Sequence, residues 1–344
     1  MKMKSLIDKI FHKGKEIGLK DMEVYYSAGG NLSLKVFQKE LDTYNLSESE
    51  GLSLRGVYNG KMGYSYTEKV DETSIEQLAR DVAENATVID SEDEEFIFEG
   101  SKEYKKVDSF NPSLSNISEE DKIEFVKSLE EEAFKSDKRI ASVEVCAYGD
   151  GYGEIIMSNT NGLYLQDKSN IAYTYIAVVA KEGDDIKTGM AYRTGNNFNK
   201  FNAKEIAQEA VGEAISLLGG KSVKSGDYNV IIRNSAAADL LEAFTGIFSA
   251  EAVQKNLSLL KGKLNEKIAS DKFTLIDDPY MDGGLASKSF DGEGVACRYK
   301  KVVDKGVLKT YFYNLKTAKK DGVETTGNAS KGSYKSSINI SPSN

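Results

Sequence analysis

Apolar residues first recur at helical spacing. Leu6, Ile7, Ile10, Ile17 and Leu19 line one side of a Lys-rich segment, which predicts an amphipathic opening helix. The period then shortens to two. Residues 22–26 and 32–36 alternate, and residues 51–55 run toward Asn59-Gly60, a dipeptide suited to a hairpin turn. Ile75, Leu78, Ala79, Val82, Ala83 and Ala86 return to helical spacing and form a single stripe.

The acidic and then Lys-rich stretch 90–109 is expected to be an exposed, solvated connection. Ser118 with Asp121 resembles a capping box, opening a helix that carries Ile123, Val126, Leu129 and Phe134. Strands are predicted at 140–147, 154–157, 163–166 and 171–181, followed by a helix over about residues 203–218. The order helix, antiparallel strands, helix thus occurs twice, in 1–90 and 118–218, which hints at an internal duplication.

Past Gly219-Gly220 the pattern changes. Residues 228–233 read as a buried strand and residues 235–251 as a helix. A hairpin is predicted over 295–303, then a turn at Asp304-Lys305-Gly306 and a return strand over 307–313. The expectation is an α+β chain of two domains: an N-terminal antiparallel sheet with flanking helices (1–220), and a β-rich C-terminal domain with a buried helix (221–344).

Composition narrows the function. With 40% apolar residues, 19 Tyr and 14 Phe, a chain of 344 residues can bury two cores. Lys plus Arg total 45 against 54 for Asp plus Glu, and the net charge of −9 has the wrong sign for binding nucleic acid through phosphates. The most apolar stretch, 171–180, is shorter than the ~20 residues that cross a bilayer. The N-terminus lacks the apolar core of a signal peptide, so a cytoplasmic location is expected.

Candidate chemistry is sparse. Cys146 and Cys297 match no zinc-ribbon or redox spacing and read as idle thiols in a reducing compartment. His12, the one histidine, has no partner and reads as a surface residue. No conventional triad has a base, and a Ser-Lys dyad stays open. Asp277-Asp278, Asp282 and Asp291-Gly292-Glu293 do not follow a calcium-loop order and read as turns, with Gly283-Gly284 and Gly292 supplying positive φ. No dinucleotide or P-loop glycine motif occurs.

Five segments in order carry a resemblance: Asn229-Val230-Ile231-Ile232, Leu240-Leu241-Glu242-Ala243, Ser289-Phe290-Asp291-Gly292-Glu293-Gly294-Val295, Gly306-Val307-Leu308 and Thr325-Thr326-Gly327-Asn328. With strand 51–55 and its Gly60 turn, the set resembles the TldD/PmbA peptidase family, of the PmbA (TldE) type. In the TldD branch a His-Glu-x-x-x-His helix holds zinc and supplies a general base. The matching positions here read Leu241-Glu242-Ala243-Phe244-Thr245-Gly246, so the glutamate stays and both histidines are gone. A catalytic zinc normally takes three protein ligands and leaves a position open for water. Without the metal, the pKa of that water does not fall from about 15.7 toward about 7.

The resemblance therefore implies a non-catalytic subunit that pairs with a TldD-like metallopeptidase cleaving unfolded peptides, with zinc in the partner and none in this chain. The family is linked to trimming a microcin precursor, degrading an antitoxin and modulating DNA gyrase. Its members run longer, which implies a C-terminal domain shortened at Asn344. Two alternatives stand beside this reading: an autonomous peptidase with a metal held by carboxylates, and a metal-free peptide-binding or structural homodimer. Asp239, Glu242, Gly246 and Ser249 recur at three- and four-residue intervals opposite Leu240, Leu241, Phe244, Ile247 and Phe248. They form the candidate cleft-facing stripe, with Glu242 as a vestigial catalytic carboxylate; a merely solvated face is the simpler reading.

Overall fold

The computed structural model describes residues 2–90 and 95–344; residues 91–94, in the expected acidic connection, lie outside it. The alternating segments pair into one antiparallel sheet. Its strands are β1 (Lys20–Phe37), β2 (Glu40–Tyr58), β3 (Lys61–Thr67), β4 (Ile140–Asn159), β5 (Tyr164–Glu182) and β6 (Asp185–Gly195), in the order β3-β2-β1-β4-β5-β6. Asn59 and Gly60 both take positive φ, 50° and 81°, as a tight primed turn between β2 and β3 requires. Helices α1 (Lys2–Ile17) and α2 (Ile75–Val88) flank the first three strands; α3 (Glu119–Ser136) and α4 (Ala203–Leu217) flank the last three.

The same order of elements occurs twice, and the two sets meet along the antiparallel pair β1 and β4, with Val24 opposite Ser158 and Leu34 opposite Tyr148. Even-numbered β1 residues face the helices. Met22 and Val24 pack with Ile7, Ile10, Leu78 and Val82 in one core. Leu34 and Val36 pack with Val126, Leu129, Ile206 and Ala210 in another. Ser118 caps α3, its Oγ accepting the Asp121 N–H at 3.1 Å.

The strands are longer than the pattern predicts. Separate strands expected at 22–26 and 32–36 are one strand, as are 140–147 with 154–157 and 163–166 with 171–181. Glycines at 29–30 and at 149, 151 and 153 look like breaks in the first two, and the polar run Asp167-Lys168-Ser169-Asn170 does in the third. At Gly149 the absent side chain instead admits the ring of Tyr173, which an added Cβ would meet at 2.5 Å.

The connection after α2 is largely exposed where it is described, as expected, but it is anchored at several points. Ile97 is buried. Asn159 Nδ2 donates to the Phe98 carbonyl at 2.6 Å, and Tyr104 Oη donates to the Gly294 carbonyl at 2.8 Å. This strap ties the sheet to the C-terminal part of the chain because its aromatic and carbonyl groups find partners on both.

Beyond α4 the chain has mixed short elements. Strands β7 (Leu275–Asp277), β8 (Lys300–Asp304) and β9 (Val307–Leu308) form a small sheet, and β10 (Ala329–Ser330) pairs with β11 (Asn339–Ile340). Lys305 and Gly306 make the expected turn, with φ of 48° and 80°. Val302, Val303, Leu308, Phe312 and Tyr313 build a third core.

Two expectations fail here. Residues 228–233 form no strand and are exposed, Ile231 at 97%, since no described strand pairs with them. The helix expected over 235–251 is divided into α5 (Asn234–Glu242), a 3₁₀ turn (Thr245–Phe248) and α6 (Ala250–Gln254), and α5 buries none of its residues. Thr245 Oγ1 donates to the Glu242 carbonyl at 2.8 Å, at the point where the helix stops. A different helix, α7 (Leu315–Asp321), is packed inward through Leu315, Thr317 and Ala318. No described helix is long and apolar enough to cross a membrane.

Candidate functional site

The predicted stripe does not stay on one helix. Asp239 and Glu242 are on α5 and exposed, Gly246 is exposed in the 3₁₀ turn, and Ser249 is half-buried at the start of α6. Leu240, Leu241 and Phe244 are exposed as well, whereas Ile247 and Phe248 reach the C-terminal core. Leu241 and Gly246 offer no donor atom, so the family's zinc set does not fit this segment. Among the described residues, no three His, Cys, Asp or Glu side chains gather as a metal site. His12 is exposed and lies 3.2 Å from Glu16, one turn along α1. Cys146 and Cys297 are buried and free, and burial pushes the Cys297 thiol up to about 12.

Polar groups converge elsewhere, where the segment after β10 lies on the sheet face opposite the helices. Glu23 and Arg55 are cross-strand neighbours on β1 and β2, and both are buried. Their two-pronged pair has Nε to Oε1 at 2.8 Å and Nη2 to Oε2 at 3.2 Å. Lys331 Nζ reaches in beside them, donating to Ser53 Oγ at 3.0 Å, with the Tyr25 and Tyr64 ring centroids at 4.4 and 5.1 Å. Tyr64 Oη donates to the Tyr334 carbonyl, and the Tyr334 ring lies over Gly51, where a Cβ would meet it at 2.4 Å.

Burial, and next the Arg55 charge, lower the Lys331 ammonium to about 7, against the pull of Glu23. The ring faces favour the cation, but desolvation outweighs them. Asp291 accepts N–H groups from Glu293, Val295 and Ala329 at 2.9, 3.0 and 2.9 Å, yet burial still raises it to about 6. Burial, and then the Asp291 charge, raise Glu293 to about 7, although its Oε2 accepts the Leu315 N–H at 2.8 Å.

This corrects the reading of Asp291-Gly292-Glu293 as a plain turn. Asp291 does organise one, but the positive φ belongs to Gly294 at 81°, and both carboxyls are buried. The Ser-Lys geometry that the sequence left open is present in Ser53 and Lys331. Ser53 is 1% exposed, however, so no substrate reaches its hydroxyl, and the contact joins two parts of the chain rather than attacking a bond. Glu23 and Arg55 were missed because charges alternating with apolar residues on a strand read as a solvated face.

A cleft of about 590 Å³ opens between the strap and the C-terminal part, lined by Phe98, Ser101, Lys105, Tyr280, Arg298 and Glu324 among others.

Comparison with known proteins gives a consistent answer. Residues 22–86 match PmbA/TldA metallopeptidase domain 1, residues 112–218 the central domain and residues 225–344 the C-terminal domain. An uncharacterised protein of Methanocaldococcus jannaschii, MJ0231, is 30% identical over 98% of this chain and 77% of its own length. A Thermotoga maritima crystal structure, described as a candidate modulator of a DNA gyrase, superposes with a TM-score of 0.90 at 33% identity, over 96% of this chain and 75% of that one. TldE from Thermococcus kodakarensis shares the fold, with a TM-score of 0.87 at 21% identity over 98% of this chain and 76% of that one.

Proposed function

Because the chain belongs to the PmbA/TldD metallopeptidase family, we propose that it acts as the non-catalytic, TldE-like subunit of a complex whose zinc and water chemistry come from a TldD-like partner. One observation carries this reading: Leu241 and Gly246 stand at the two histidine positions of the family's zinc helix, leaving Glu242 as the sole donor there. A single exposed carboxylate neither holds a catalytic zinc nor lowers the pKa of a bound water. In the proposed complex this chain completes a cavity that admits unfolded peptides and excludes folded ones, in the cytoplasm.

The alternative of an autonomous carboxylate-metal peptidase makes an opposite prediction for the isolated chain. Equilibrium dialysis against zinc, with peptide cleavage measured on the same sample, separates the two. The subunit reading expects less than stoichiometric zinc and no turnover, unchanged in Glu242→Gln. One tightly held zinc per chain, with cleavage abolished by Glu242→Gln, would establish the autonomous enzyme instead.

A further inference from the structure

The cleft beside the strap is built from two parts of the chain that the fold holds in fixed relation. On one wall, Ser101 Oγ accepts the Ala296 N–H at 3.0 Å and Tyr104 Oη is bonded to the Gly294 carbonyl, so Phe98 to Lys105 cannot drift from the opposite side. On that opposite side, Tyr280 Oη donates to the Cys297 carbonyl, which fixes the ring.

Two cations converge on the opening. Lys105 Nζ stands 4.1 Å from the centroid of the Tyr280 ring. The guanidinium of Arg298 is held from behind by the Thr325 carbonyl and meets the Glu324 carboxylate at 3.2 Å. Glu324 is 89% exposed at its side chain, so that ion pair is weak and exchangeable. Glu103 is the other carboxylate of the lining. Arginine presents five N–H donors in a fixed fork that matches two oxygens of a carboxylate or a phosphate at once, and the group Arg298 already meets here is a carboxylate. Phe98 and Tyr280 add apolar surface next to the charges, which suits a residue adjoining that carboxylate rather than a free inorganic anion.

We propose that this cleft binds a peptide carboxylate, with Arg298 exchanging Glu324 for the ligand, Lys105 supplying the second positive charge, and Phe98 and Tyr280 packing on the neighbouring residue. The carboxylate class follows from the Glu324 carboxylate that Arg298 already meets; that it belongs to a peptide rests on the peptide-handling function proposed above. A terminal carboxylate and an acidic side chain share this chemistry.

Three fluorescein-labelled unstructured peptides of one core sequence separate the sources: a free C-terminal acid, its amide, and the amide carrying one internal Glu. Anisotropy titrations use the intact chain, Lys105→Met and Arg298→Met, each checked for an unchanged thermal midpoint. The expected result is that at least one carboxylate-bearing peptide binds about tenfold tighter than the neutral amide, a difference of about 1.4 kcal/mol, and that each variant erases the preference. Because both changes are at exposed side chains, a Glu324→Gln chain supplies an independent check: removing the competing carboxylate tightens binding. Equal affinity for acid and amide, unchanged affinity in both variants, or no binding at all would overturn the proposal. If the peptides fail to bind while the chain still accelerates cleavage by a TldD-like partner, the cleft assignment falls and the subunit function stands. If carboxylate-selective binding is found without any acceleration, the reverse holds.

Discussion

At the scale of single residues, the junction between the sheet and the segment after β10 holds a buried ion pair. Arg55 and Glu23 neutralise each other inside it, and removing one partner strands the other. Arg55→Met should therefore cost about 3–5 kcal/mol in urea denaturation, and the double variant Glu23→Leu/Arg55→Met should recover most of that loss. Lys331 gives a pH signature. Its amine is near 7 in the folded chain and near the ordinary 10.5 when unfolded, so the unfolded state binds more protons between those values. Stability contributed at this site rises with pH from about 7 to about 10.5, and the slope disappears in Lys331→Met. Glu293 has the opposite sign, raised from 4.5 to about 7. The native chain should lose stability relative to Glu293→Gln as pH rises from 4.5 to 7, which paired thermal midpoints at several pH values will check.

At the scale of elements, the sheet and its helices were legible because their apolar periods are long and undisturbed. The stripe Ile75, Leu78, Ala79, Val82, Ala83 and Ala86 is the buried face of α2, and Asn59-Gly60 makes its turn. What the pattern could not show was continuity through glycine, since Gly149 and its neighbours look like turn residues until the rings that need their space are known. The close approach of α2 to β3 has the same origin: a Cβ at Gly63 would lie 1.9 Å from the Val82 carbonyl oxygen. Gly63→Ala should separate the two elements and cost about 1–3 kcal/mol, measurable as a lowered denaturation midpoint. Periodicity also misjudged residues 228–233 and α5. Their apolar side chains asked for burial, but burial depends on a neighbouring surface that a local pattern does not contain.

At the scale of the whole molecule, the family was legible from ordered short segments, and the placement of Leu241 and Gly246 at zinc positions follows only from that resemblance. The buried junction and the strap-walled cleft were not, because each joins residues more than a hundred positions apart, Ser53 with Lys331 and Ser101 with Ala296. On the function proposed above, this chain contributes a folded scaffold and the hydrolytic step belongs to another polypeptide. The direct measurement is the initial rate of cleavage of an unfolded peptide by a TldD-like partner, alone and with this chain added. The account predicts that this chain alone is inactive and that the mixture clearly outpaces the partner; equal rates for partner and mixture, or turnover by this chain alone, would contradict it.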